Sequence, residues 1–412
     1  MFRLIAGLAT LAFANHAFTA DPPSARQLVE KHSHTFEYDT STLRGQRAGF
    51  LLTNTTRNQF VLLGEDHMDH ATPIFSGALY RLLHDRHGFR YVVVEQDPLA
   101  IEAALASPLR GNADNIAALA TRYPTLFEFD TDEDLQLLAR VGQLENRNDA
   151  IWGVEQATGA VTYLEELVTR ASSPAAKRLA QQLLAEARAA DPGPRYSVNW
   201  LAASGTETKL KDLRERFGHN ANPRARSLLR ALEKSAEIFG YYRRAEAGEF
   251  VGLYNNTVRE AELKRNFLER YRRAAKRQTT PKAMFKFGSN HLYHGKNPTQ
   301  AFPIGNLAHE LAITNDLEAY GIYVLALGPD YKSYQDYPAW LLPLLPANPP
   351  TVPTVIDLRA LRPYQRIFRE HIAPDTIWEQ RALLHGYEAI VVLPHSRPGE
   401  RKLGGREQIA VR

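Results

Sequence analysis

Between Val61 and His70 the chain reads VLLGEDHMDH: three apolar residues, a glycine, and then Glu65, Asp66, His67, Asp69 and His70 within six positions. Imidazoles beside carboxylates are parts for proton transfer, because histidine titrates near neutrality and a neighbouring acid orients it and stabilises its charged form. A second such place follows the apolar run AMFKFG, where Ser289, Asn290, His291 and His294 stand together. Both places read G-x-x-H, Gly64–His67 and Gly288–His291, directly after an apolar run. The glycine is expected to let the backbone turn and approach a ligand. Two further apolar runs end on acids, RYVVVEQD at Glu95 and AIWGVEQ at Glu155.

These residue types suit two chemistries. In the first, His67 with Glu65 or Glu95 takes a proton from water, and His291 polarises a carbonyl or protonates a leaving group. In the second, His67, Glu95 and His291 ligate a metal such as Zn, Mn, Co or Fe, with positions left open for water. His70 and His294 follow their partners at i+3 and, with Glu155 and Asn290, are candidates for substrate contacts. Other chemistries are excluded. The chain has no cysteine, hence no disulfide, thiolate metal site or cysteine nucleophile. It has no G-x-S-x-G elbow, P-loop or H-E-x-x-H helix.

Elements must bring these distant residues together. The runs at 59–64, 90–97, 150–156, 283–290, 321–328 and 388–394 are short, continuous and rich in β-branched or aromatic residues, as strands covered on both faces are. Helical patterns lie between them: in PIFSGALYRLLHDRHG, Ile74, Phe75, Ala78, Leu79, Leu82 and Leu83 share a face and Gly88 follows as a stop. This alternation predicts an α/β fold with a mostly parallel central sheet flanked by helices. From 158 to 280 the strand signal gives way to long helical stretches, predicting a large all-helical insertion between core segments 21–157 and 281–412. The proline-rich stretch 337–358 reads as an ordered surface loop. In open α/β sheets ligands bind at the carboxyl edge, and Glu65, His67, Glu95, Glu155, Asn290 and His291 all fall at strand ends.

Composition bounds the setting. The 412 residues are 44% hydrophobic and 23% charged, with a net charge of +4 and no massed basic block, which argues against a nucleic-acid partner. Residues 1–20 have an early cation, Arg3, an apolar core and small residues before Asp21, the form of a secretory signal peptide. No other segment qualifies as membrane-spanning, so a periplasmic or secreted protein without a membrane span in its mature chain is expected.

With the two G-x-x-H motifs and Glu95 in place, the chain resembles the superfamily of erythromycin esterase, ChaN and TIKI–TraB proteins over roughly residues 45–395. Arg259, in NNTVREAELKRNF, is the best match to that superfamily's arginine, and GYEAIVVLPHSRP resembles the closing strand of erythromycin esterase-like proteins. The resemblance implies a hydrolase acting on an ester, lactone or peptide bond of a small molecule or peptide. Arg259 would then hold an oxyanion or a substrate carboxylate. The superfamily includes metal-dependent proteases and metal-independent esterases. Its ChaN branch suggests the alternative of a non-enzymatic haem- or metal-binding protein, with Tyr293 and His294 as possible iron ligands.

Overall fold

The computed structural model describes residues 23–44, 48–106, 108–123, 127–192, 198–251, 254–370 and 372–400. The segment read as a signal peptide lies outside them. The central strands are β1 (Ser33–Thr35), β2 (Asn58–Glu65), β3 (Tyr91–Val94), β4 (Ile151–Gly153), β5 (Ala283–Gly288), β6 (Glu318–Ala326), β7 (Thr354–Asp357) and β8 (Ala389–Leu393). They form an eight-stranded sheet in the order β1-β7-β8-β6-β2-β5-β3-β4. The six strands from β8 to β4 run parallel, and β7 and β1 add an antiparallel edge. The protein is therefore an α/β fold on a mostly parallel sheet.

The strands read as continuous apolar runs because both faces are covered. Val61, Leu63, Val92, Val94, Met284, Ile322 and Val391 belong to one buried cluster, which also holds Phe75 and Leu79 of the helix Ala71–His87. Their neighbours Phe60, Leu62, Val93, Phe285, Phe287 and Val392 belong to a second, shared with Leu263 and Phe267. Alternate residues thus go to opposite faces, and each face has its own helices.

Between β4 and β5 the described residues form helices and no strand, from Ala160–Arg170 to Tyr254–Ala275. These helices do not stand apart from the sheet. Leu164, Leu167, Leu210, Leu228 and Leu232 join the first cluster, whereas Leu263, Phe267, Tyr271 and Ala274 join the second. The last helix therefore packs on the opposite face from those before it.

One expectation needs correction. The proline-rich stretch is not only a loop: Thr354–Asp357 pairs antiparallel with β8, and Leu341, Leu344 and Leu345 are buried. Prolines at 346, 349, 350 and 353 hid a four-residue strand that begins just after the last of them.

Candidate functional site

Strand register explains how the carboxylates meet. Glu65 lies opposite Gly288, and Val94 opposite Lys286. Glu65 continues the Val61–Leu63 alternation, so it points to the first face, as does Lys286 after Met284. There Lys286 Nζ donates to Glu65 Oε1 at 2.7 Å and reaches Asp134 Oδ1 at 2.8 Å, from the helix Asp132–Glu145. Glu95, one residue beyond Val94, goes to the second face. Its Oε2 accepts the Gly288 backbone N–H at 2.7 Å, and its Oε1 accepts Arg259 Nη2 at 2.8 Å.

Arg259 arrives on the helix Tyr254–Ala275. Leu263, Phe267 and Tyr271, spaced four apart, form the buried stripe of that helix, and Arg259 is one step further toward its N-terminus. Asn266 Nδ2 ties the helix to the end of β4 by donating to the carbonyls of Val154 and Glu155 at 3.1 and 3.2 Å. The guanidinium also donates to Glu155, from Nε to Oε1 at 3.1 Å and from Nη2 to Oε2 at 2.7 Å. Its pKa is raised further, since the charges of Glu155 and Glu95 outweigh burial.

The two histidines close the ring. His67 Nδ1 lies 3.1 Å from Glu65 Oε1, and its Nε2 stands 3.5 Å from Glu95 Oε2, a long contact. The Phe129 ring stacks on this imidazole at 4.2 Å, and 31% of the His67 side chain remains exposed. His291 is held more tightly, Nδ1 at 2.5 Å from Glu260 Oε1 and Nε2 at 3.2 Å from Glu95 Oε1, with 12% of its side chain exposed. Glu260 is fixed in turn by the Ile304 backbone N–H at 2.8 Å.

These contacts divide the titrations. Burial would lower the His291 imidazole, but the charges of Glu95 and Glu260 overcome it and push it up to about 10. Burial also opposes the charged form of His67; Glu95 and then Glu65 raise it above its ordinary value, while Lys286 pulls the other way. Burial would raise the Glu95 carboxyl, yet His291, His67 and Arg259 hold it well below the usual carboxylate range. Glu95 is thus a fixed anion at the centre and not a base. His291 is a fixed cation at neutral pH. His67 has its Nδ1 set by Glu65, and its second nitrogen is held only by the long 3.5 Å contact to Glu95.

The glycines of both motifs serve closeness rather than turning. Neither is among the residues with positive φ, and Gly288 sits at φ −54° and ψ 138°. A Cβ on Gly288 would stand 2.6 Å from His67 Nε2, and one on Gly64 would strike the Tyr387 hydroxyl. That hydroxyl donates to the Ser289 carbonyl at 2.5 Å and so ties the second turn to the first.

His67, Glu65, Glu95, Glu155, Arg259 and His291 are therefore brought into one network. The remaining candidates make other contacts. His70 bonds Glu133 at 2.5 Å, Asn290 is exposed, and His294 is exposed and stacks on His309 at 4.2 Å. Lys286, Asp134, Glu260 and Phe129 were not foreseen from sequence. Lys286 had a signal, a lone cation in the middle of an apolar strand. Glu260 adjoins Arg259 among many helical charges and had none.

The donor set does not suit a metal. The nitrogen-to-carboxylate contacts at His67 Nδ1 and His291 Nδ1 resemble the outer shell of a metal site. However, a cation between His67, Glu95 and His291 would face the Arg259 guanidinium on the same Glu95 oxygen, and the Gly288 N–H takes the other oxygen. Among the described residues no group of three or more His, Asp and Glu is arranged to hold a metal ion. The residues suggested for haem pack on other rings: Tyr293 is buried edge-on against Tyr387, and His294 lies on His309. A cavity of about 20 Å³ bordered by Glu65, Glu95, Phe129 and Lys286 has room for about one water, so a substrate must meet the ring elsewhere. The part-exposed His67 is the accessible edge.

No protein-family model matches the sequence, and no curated protein matches it. Solved structures do resemble the fold. The erythromycin esterase EreC, as a mutant in its open conformation, superposes with a TM-score of 0.59 at 15% identity, over 89% of this chain and 99% of that one. A Bacillus cereus protein gives 0.60 at 12% identity, over 92% of this chain and 100% of that one. A succinoglycan biosynthesis protein gives 0.55 at 12%, over 91% and 97%. The fold is erythromycin esterase-like.

Proposed function

We propose, with the erythromycin esterase-like fold as premise, that this protein is a metal-independent hydrolase of an ester, lactone or peptide bond in a small molecule or peptide. The observation that carries the reading is the state of His67: Nδ1 is set by Glu65, Nε2 has only the long 3.5 Å contact to Glu95, and the ring is open to solvent on one side. Water at Nε2 gives up its proton as its oxygen attacks the carbonyl carbon. The imidazolium that forms is stabilised by Glu65 and Glu95. Arg259 and His291, whose proton the charges of Glu95 and Glu260 favour at neutral pH, supply positive charge for the oxyanion, and both are held by buried carboxylates before the substrate arrives.

The test is a panel of esters, lactones and peptides given to the protein, to His67→Ala and to a sample dialysed exhaustively against a chelator. The reading expects turnover by the parent, survival of activity through dialysis, and its loss in His67→Ala. Full activity in His67→Ala ends it, and activity that dialysis removes and one metal restores ends the metal-independent part. Export is part of the proposal, on the form of residues 1–20. Amino-terminal sequencing of protein from the periplasmic fraction should then find a chain starting near Asp21, and retention of Met1 would contradict it.

A further inference from the structure

A second row of charges adjoins His67 on the first face of the sheet. Lys286 stands mid-strand on β5, buried, in register with Leu63 of β2. Its Nζ donates to Glu65 Oε1 at 2.7 Å, the same oxygen that meets His67 Nδ1 at 3.1 Å. The other contact of this ammonium, Asp134 Oδ1 at 2.8 Å, is itself anchored. Asp134 Oδ2 accepts the Thr131 hydroxyl at 2.7 Å, and Thr131 Oγ1 accepts the Asp134 backbone N–H at 3.1 Å as the cap of the helix Asp132–Glu145. An anion is favoured in the first turn of a helix. A continuous line of contacts therefore leads from a helix N-terminus through Asp134, Lys286 and Glu65 to His67 Nδ1. Replacing a buried ion pair by apolar residues of similar volume is often neutral or stabilising, so a strand buried on both faces gains little stability from a lysine here.

We propose that Lys286 is a positioning residue for the base: anchored on Asp134, it fixes the Glu65 carboxylate that holds His67 Nδ1–H, and so presents Nε2 to water. The inference rests on the hydrolytic reading above. Without the lysine the Glu65 carboxylate can turn about its own side-chain bonds, and the imidazole turns with it. A base displaced by about 1 Å loses about 10²-fold in rate.

The same cation sets a charge balance. Two carboxylates and one ammonium leave one negative charge beside the imidazole, and without the ammonium there are two. Burial would lower the Lys286 pKa, but Asp134 and then Glu65 overcome it and keep the group a cation. The other titratable groups facing this set are His67 and Asp69 in the turn after β2, Glu95 beyond β3, Glu128 ahead of the helix Asp132–Glu145, and Tyr331 after β6. Burial and Lys286 both favour neutral His67, against Glu95 and Glu65. A general base must reach that neutral form at working pH.

Two variants test this, read by kinetics on p-nitrophenyl acetate and by nuclear magnetic resonance of ring-labelled histidine. Lys286→Met removes both the hold on Glu65 and the charge. Its plateau kcat should fall by up to about 100-fold with KM little changed. The rising limb of its pH–rate profile should move to higher pH, and the neutral His67 ring should lose its single tautomer. Lys286→Met/Asp134→Asn removes one anion with the cation, restoring the charge balance but not the hold on Glu65. Its limb should return toward the parent's while kcat stays low. Because its buried charge is balanced as in the parent, the double variant reports even where the single one does not fold. A lysine that only supports the fold would cost thermal stability and leave kcat per folded molecule, the limb and the His67 tautomer at the parent's values. That result overturns the assignment, and so does full kcat in the double variant. The tautomer is read without a substrate, so the two levels separate. If the parent hydrolyses the ester and both variants match it, only the role of Lys286 fails. If the parent cleaves nothing in the panel, or His67→Ala keeps full activity, the hydrolytic reading fails and takes this inference with it.

Discussion

The turns after β2 and β5 have the same spelling, G-x-x-H, and reach the same central carboxylate, yet their histidines end in different states. His291 has a carboxylate within 3.2 Å of each ring nitrogen, is mostly buried, and holds its proton up to about 10. His67 has one close carboxylate, one at 3.5 Å, and a side chain 31% exposed. The difference comes from what each strand meets beyond the motif. The turn after β5 is covered by the helix Tyr254–Ala275, which brings Glu260. The turn after β2 faces Phe129, an aromatic ring with no charge to offer. A shared motif therefore sets where an imidazole sits, and the packed neighbour sets its charge.

Substitution of each histidine by alanine should separate these roles most strongly. His67→Ala is expected to lower kcat by about 10²- to 10⁴-fold, the usual range for a general base, with little change in stability. Glu65 would keep Lys286, and Glu95 would keep Arg259 and the Gly288 N–H. His291→Ala leaves Glu95 and Glu260 without a cation they share, and breaking a buried pair of this kind costs about 3–5 kcal/mol. Denaturant unfolding and steady-state kinetics on both variants check this. Equal stability losses in the two would erase the distinction.

A subtler break is Gly288→Ala. The added methyl would push His67 from its place beside Glu95, and a displacement near 1 Å is worth about 10²-fold in rate. Kinetics beside thermal unfolding should show rate lost out of proportion to stability.

The pH dependence of stability sharpens the contrast further. The folded pKa of His291 lies above its unfolded value of ~6.5, so its contribution is fully present below that pH and is lost as pH rises toward about 10. The stability gap between the parent and His291→Gln should narrow across that window. A constant gap from pH 6 to 10 would contradict it.

The smallest expected effect is on the rate profile of Glu65→Gln. Glu65 helps to raise the His67 pKa, so removing its charge should move the rising limb to lower pH. Parallel pH–rate profiles for parent and variant read the shift directly.

Much of this arrangement was legible in the sequence, because parallel strands buried on both faces advertise themselves as apolar runs and their polar ends stand out. Glu65, His67, Glu95, Glu155 and His291 could be placed at one sheet edge on that basis alone. Arg259 was found by resemblance rather than by pattern, since its helix carries many cations. What could not be read was which face each acid takes in the assembled sheet. Glu65 and Glu95 sit at equivalent ends of parallel strands, but alternation sends one to Lys286 and Asp134 and the other to Arg259. Glu260 enters only through tertiary docking of a helix across the second face. No local periodicity carries that information. The strand Thr354–Asp357 was missed for a different reason, as its prolines signalled loop more strongly than its four residues signalled strand.

The central claim, that two like-spelled turns hold one imidazole that keeps its proton well beyond neutral pH and one that loses it sooner, is tested most directly by nuclear magnetic resonance of ring-labelled histidine, with His67→Gln and His291→Gln assigning the signals. The account predicts that the His291 ring stays protonated at both nitrogens well beyond neutral pH and titrates near 10. It predicts that His67 loses its proton at a lower pH, from Nε2, keeping Nδ1–H toward Glu65. Two rings titrating together, or His291 losing its proton first, would contradict it.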